Sequence, residues 1–239
     1  MSCPIPSSAP APSPLIGTLQ QDPGSGLSYR LRLPQPARPR ALVVLLHGVG
    51  GQEMDLADLA SGVDPETLVV LVRSRLQLGP DQFGWFRVAL ATEGPKIMES
   101  EAEASRHALI RLVDHLQVLH GVEARRTVLT GFSQGGILSA SVALSAPERV
   151  GGFAILSGRI LPEIEPRIAN REWLAHLRAF ISHGEQDATL PVAWAQRADH
   201  WLADLGIPHI TRVYPAGHTL NPEMRADVLA WIGGLSGAA

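Results

Sequence analysis

The chain has 239 residues, 45% of them hydrophobic, and a formal net charge of −3 at pH 7; that is apolar mass enough for a full core, and α/β chains of this size form one domain. No block of Lys and Arg supplies the clustered cations that nucleic acid or an anionic membrane surface requires, which excludes polyanionic partners. Cys3 is the only cysteine, so an intrachain disulfide and a thiolate metal site are both excluded, and a reducing, cytoplasmic setting is expected.

Residues 2–14 contain five prolines, four serines and no Lys or Arg, which does not read as a secretory signal. Residues 1–16 are expected to be a loose tail, with 17–239 as one domain. Residues 27–33 alternate apolar and polar side chains like a half-exposed strand, and Pro34, Pro36 and Pro39 break it, giving an edge hairpin arm. Continuous apolar runs rich in β-formers follow at 41–46, 67–72, 127–130 and 153–156, and weaker ones at 179–182 and 210–213. Runs of that length fit strands covered on both faces of a parallel sheet. None approaches the ~20 residues needed to span a bilayer.

Between the strands lie helix patterns. Leu109, Leu112, Val113, Leu116 and Leu119 share one face of a helix expected over 99–119, with Gly121 as its stop. Pro191 opens another that ends near Gly206, and Asn221-Pro222 starts a last one that stops at Gly233-Gly234. This alternation predicts a doubly wound, mostly parallel α/β layer fold. Residues 73–95 show neither period, and such segments at the carboxyl ends of strands form pockets. Met54, Phe83, Trp85 and Phe86 are the pocket candidates. Glu99, Glu101 and Glu103 read as a solvated helix start rather than a metal site.

The chemistry centres on Gly131-Phe132-Ser133-Gln134-Gly135, a G-x-S-x-G pattern that follows an apolar strand and opens a helix over 136–144, the setting of a nucleophile elbow. Gly131 and Gly135 leave room for strand and helix to close on the turn. A serine hydroxyl is a weak nucleophile and needs a base within hydrogen-bond reach and an acid to orient it, here in the chain order Ser, acid, His. His218 follows the last strand in a Gly-containing loop and is the candidate base. His176 and His209 precede strands, His200 lies on a helix surface, and His183 reads as part of a turn. Asp187 is the candidate acid and Glu185 its rival, both following the strand at 179–182. Leu46-His47-Gly48-Val49-Gly50-Gly51 has the glycine density of a loop that offers backbone N–H groups to an anion, and Val49 with Gln134 are the candidate oxyanion donors. The loop lacks the G-x-G-x-x-G spacing and the Lys-Ser/Thr of nucleotide-binding loops.

These residues resemble the phospholipase/carboxylesterase family of α/β-hydrolases, which includes small carboxylesterases and acyl-protein thioesterases. The likeness is carried by Leu46-His-Gly-Val-Gly-Gly, Gly131-Phe-Ser-Gln-Gly-Gly, Leu156-Ser-Gly, His183-Gly-Glu-Gln-Asp and Gly217-His-Thr. The resemblance implies an α/β-hydrolase fold without a large cap, no cofactor, and a small-molecule ester as substrate. It also implies Asp187 as the acid and Val49 and Gln134 as oxyanion residues. Arg87 departs from the aspartate that usually follows the Trp-Phe pair, and Gly158-Arg-Ile-Leu-Pro is one residue longer than usual. Peptidase or perhydrolase activity, or a non-catalytic binding module on the same fold, stand as alternatives.

Overall fold

The computed structural model of the protein describes residues 15–91 and 94–237. In chain order the strands are β1 (Leu15–Ile16), β2 (Gln20–Gln21), β3 (Ser28–Leu33), β4 (Ala41–Leu46), β5 (Thr67–Arg73), β6 (Leu76–Gly79), β7 (Gln82–Gly84), β8 (Val88–Ala91), β9 (Gly94–Ile97), β10 (Thr127–Phe132), β11 (Gly152–Leu156), β12 (Arg178–Gly184) and β13 (His209–Tyr214). The helices are α1 (Ala57–Ser61), α2 (Glu99–His120), α3 (Gln134–Ser145), α4 (Arg171–Leu174), α5 (Ala193–Leu205) and α6 (Pro222–Gly237).

A nine-stranded sheet runs in the order β1-β3-β5-β4-β10-β11-β12-β13, with β2 also paired to β3. From β5 to β13 all neighbours are parallel, and β3 joins β5 antiparallel. The run Ala-Leu-Val-Val-Leu-Leu of β4 shows why a continuous apolar segment suits the centre. Leu42, Val44 and Leu46 point into a core shared with α2, α3 and α5, while Val43 and Leu45 meet α1 and α6 on the other face. This is the α/β-hydrolase arrangement, with helices on both faces. Because the central strands are parallel, the loops after β4, β10, β12 and β13 all emerge at one edge of the sheet. Among the described residues no helix is long and apolar enough to cross a membrane.

Several sequence expectations need correction. Residues 1–14 lie outside the described residues, but Leu15 and Ile16, expected in the tail, pair with Leu33 and Arg32. The irregular segment is two antiparallel hairpins, β6 with β7 and β8 with β9. Glu101 and Glu103 are not simply solvated: Glu101 binds Arg87, and Glu103 binds Arg106 and Arg167. Arg87 thereby fastens the second hairpin to α2. Gly121 and Gly206 do end their helices, in left-handed conformation with φ of 66° and 74°.

The last helix starts where expected, the Asn221 side chain accepting from the Met224 amide at 2.8 Å, but it continues through Gly233-Gly234. Val228 and Ile232 are buried against the sheet just before the pair, and that packing offsets the ~1 kcal/mol that a mid-helix glycine costs relative to alanine. A Cβ at either glycine would meet nothing within 4 Å. Gly233→Ala and Gly234→Ala are each expected to stabilise the fold by about 0.5–1 kcal/mol, read as a rise of a few degrees in Tm. A fall in Tm for both would show that the helix does not run through the pair.

Candidate active site

Ser133 connects β10 to α3 with φ 53° and ψ −118°, a region that L-residues rarely occupy. The glycines on either side are required by backbone approach. A Cβ on Gly131 would overlap the carbonyl group of Gly135, and one on Gly135 would overlap the carbonyl of Leu46 in β4. The turn is fastened by Ser133 N–H donating to Leu156 O at 2.8 Å and Ile137 N–H donating to Ser133 O at 3.1 Å. Ser133 is 5% exposed.

His218, after β13, reaches back over this turn. Its Nε2 lies 3.0 Å from Ser133 Oγ and its Nδ1 lies 2.7 Å from Asp187 Oδ2. The Phe132 ring supports the imidazole at a centroid distance of 5.0 Å. Asp187 is buried, whereas Glu185 is exposed and its amide extends the β13 pairing by donating to Tyr214 O at 2.8 Å. The loops carrying Asp187 and His218 are packed backbone to backbone: Gln186 N–H donates to Ala216 O at 3.0 Å, and a Cβ at Gly184 would overlap the carbonyls of Ala216 and Gly217.

Burial disfavours charge on Asp187, but the hydrogen bond from His218 and those from the Leu190 and Thr189 amides outweigh it and hold its carboxyl below the usual carboxylate range. His183, expected only to shape a turn, is a fully buried member of β12. Its Nε2–H donates to Leu190 O at 2.7 Å and stands 3.4 Å from Asp187 Oδ2. The ring therefore clamps the turn whose amides hold Asp187. In sequence a His before Gly looks like loop material; its place in a buried strand is the signal that separates the two.

The loop after β4 is fixed from both sides. Gly50 N–H donates to Phe83 O at 2.8 Å and Phe83 N–H donates to Gly51 O at 2.9 Å. Buried His47 donates from Nδ1 to Gly48 O at 2.7 Å and accepts the Ser74 amide on Nε2 at 3.2 Å, while its ring stacks on Trp85. The Gln134 side chain is structural: its Oε1 accepts from Trp85 N–H at 3.0 Å and its Nε2 donates to Phe86 O at 2.9 Å. Trp85 Nε1–H in turn donates to His47 O at 2.9 Å. Gln134 is the first residue of α3, where backbone N–H groups have no partner within the helix, and Val49 is 52% exposed at the loop crest.

A cleft of about 330 Å³ opens beside His218, lined by Gly48, Val49, Leu56, Phe132 and Leu220 among others. None of the four pocket candidates lines it. Trp85 and Phe86 are buried in the core, where their large apolar area is removed from water. Phe83 packs beneath the Arg73 guanidinium at 4.7 Å, and Met54 lies half-exposed outside the cleft. Among the described residues no group of three or more His, Cys, Asp or Glu could hold a metal ion.

The family model described as Phospholipase/Carboxylesterase matches residues 34–235. The chain belongs to this family. Acyl-protein thioesterase 1 of Gibberella zeae is 25% identical over 235 residues, covering 87% of this chain and 96% of its own. Esterase YpfH of Escherichia coli is 28% identical over 176 residues, 72% of each chain. With Acyl-protein thioesterase 1 of Eremothecium gossypii the identity is 32% over 127 residues, 48% of this chain and 50% of that one. A carboxylesterase from Mesorhizobium loti shares the fold with a TM-score of 0.75 at 24% identity, covering 90% of this chain and 99% of the other. These names are those of carboxylic ester hydrolases, and the phospholipase/carboxylesterase family is a hydrolase family.

The buried His47 ties the site to pH. Burial, the largest influence, pushes its pKa below the usual 6.5, outweighing the hydrogen bond to Gly48 and the charges of Asp55 and Glu53. The unfolded chain therefore takes up the proton first, so the stability from neutral His47 is present above pH 6.5 and lost as pH falls through the folded value. Half-buried His120, its pKa also lowered by burial, acts in the same direction. Tm is expected to fall between pH 7 and pH 5, and less steeply in His47→Gln; an unchanged wild-type Tm over that range would contradict this.

Proposed function

We propose that this protein is a serine esterase that cleaves carboxylic esters or thioesters through an acyl-enzyme, with Ser133, His218 and Asp187 as its triad. The observation that carries the reading is the double reach of the His218 imidazole, 3.0 Å to Ser133 Oγ and 2.7 Å to Asp187 Oδ2. The hydroxyl proton passes to Nε2 as Oγ bonds to the acyl carbon, and Asp187 fixes the tautomer and stabilises the imidazolium. The Val49 and Gln134 N–H groups receive the negative charge that develops on the carbonyl oxygen. Collapse of the tetrahedral species expels the alcohol or thiol, which takes the proton from His218. Water then attacks the acyl-enzyme by the same route and regenerates Ser133.

The open cleft supports a small-molecule ester, and the thioesterase names of several relatives support a thioester as a second leaving group. Residues 17–239 act as one catalytic domain in this reading, supported by a family match that spans 34–235. Ser133→Ala is expected to lower kcat on 4-nitrophenyl acetate by ~10⁴–10⁶ and Asp187→Asn by ~10⁴. Glu185→Gln is expected to stay within about threefold, as exposed substitutions away from the chemistry do. Wild-type turnover by Ser133→Ala would overturn the nucleophile, and greater damage from Glu185→Gln than from Asp187→Asn would overturn the acid.

A further inference from the structure

The arginines around the catalytic edge of the sheet mostly carry a carboxylate. Arg30 and Arg73 share Glu53, Arg87 holds Glu101, and Arg225 holds Asp58. Arg159 and Arg197 are different. Their guanidinium carbons lie 4.4 Å and 4.8 Å from the centroid of one ring, Trp194, and among the described residues neither forms an ion pair. Glu163 is close enough for Arg159 to feel its charge, yet Glu163 Oε2 and Arg159 Nε are each buried without a hydrogen-bond partner. A buried guanidinium N–H with no acceptor is costly, and two like charges on one aromatic ring add repulsion. An anion bound between the two guanidinium groups would relieve the repulsion.

The cluster belongs to the loops that build the catalytic edge. Arg159 follows Gly158, which packs so closely on the nucleophile turn that a Cβ there would stand 2.9 Å from Ser133 O. Trp194 and Arg197 lie at the start of α5, just after Leu190, whose amide holds Asp187 at 2.8 Å. Arg159 also sits in the segment that is one residue longer than the family pattern. Stacking on an indole leaves the in-plane N–H donors of a guanidinium available, and their fork matches a carboxylate or phosphate.

We propose that Arg159, Arg197 and Trp194 form an anion subsite that selects esters carrying a carboxylate or phosphate at the end remote from the scissile bond. The inference rests on the esterase reading above and names the substrate class for that site. In the esters compared below the carboxylate lies on the acyl part and the phosphate on the alcohol part.

The test compares kcat/KM for mono-4-nitrophenyl glutarate, 2-(butanoyloxy)ethyl phosphate and neutral 4-nitrophenyl butanoate. In Arg159→Gln and in Arg197→Gln the ratio of anionic to neutral kcat/KM is expected to fall ~10–100-fold for one of the two anionic esters, mainly through KM, as loss of a charge-assisted hydrogen bond does. That ester identifies the anion, and Arg159→Lys should restore part of the ratio. A ratio unchanged for both anionic esters in both Gln variants overturns the subsite. Calorimetric titration of Ser133→Ala with the same esters separates the two readings. If the wild type turns over none of the three, the esterase reading fails. Salt-sensitive binding of an anionic ester that Arg197→Gln abolishes would still support the subsite, and no such binding would overturn it.

Discussion

The left-handed backbone at Ser133 is the constraint around which the site is arranged. A non-glycine residue held there costs ~1–3 kcal/mol, and it persists only where the surroundings over-determine it. They do so through contacts that tolerate no side chain. Gly131 faces the Gly135 carbonyl, Gly135 faces the Leu46 carbonyl, and Gly158 closes on Ser133 O. The strain projects the hydroxyl out of the sheet edge, to where the loop from β13 can bring an imidazole. The cost is met by a buried helix α3, whose residues from Gln134 to Leu144 are all removed from solvent.

Around that turn, polar groups are fixed mostly by backbone partners, which are hard to displace. Asp187 is held by two amides, His47 bridges a carbonyl and an amide, and the Gln134 amide side chain spans the backbone of Trp85 and Phe86. In the proposed reaction such a frame needs little reorganisation as charge develops on the carbonyl oxygen and on His218, the condition under which fixed dipoles stabilise a transition state best. Outside it, Glu53 is buried between Arg30 and Arg73 and keeps the start of the cleft wall attached to β3 and β5.

Much of this was legible in the sequence because the relevant signals are local. Buried parallel strands must be apolar on both faces, so 41–46 and 67–72 read correctly to within a residue. The elbow glycines and the order Ser, Asp, His mark the strand ends that bring the three side chains together. The hairpins β6 to β9 were not legible: Leu76, Gln77 and Leu78 have no buried partner face to impose a period of two. Trp85 and Phe86, buried in the core, show a related limit, since aromatic residues in an irregular segment look alike whether they line a cleft or fill the core. What separates them is a tertiary partner, the Gln134 side chain, which lies 49 residues from Trp85 in sequence. The difference between Asp187 and Glu185 likewise lies in burial and in the β13 pairing, neither of which spacing encodes.

In the proposed mechanism one serine, among all those in the chain, is activated by a neighbouring imidazole and oriented for acyl transfer. Reaction of the native protein with a fluorophosphonate, followed by peptide mapping by mass spectrometry, tests it most directly. A single covalent adduct on Ser133 is expected, with labelling abolished in Ser133→Ala and strongly slowed in His218→Ala. Stoichiometric labelling of another residue, or labelling of Ser133→Ala at the native rate, would contradict it.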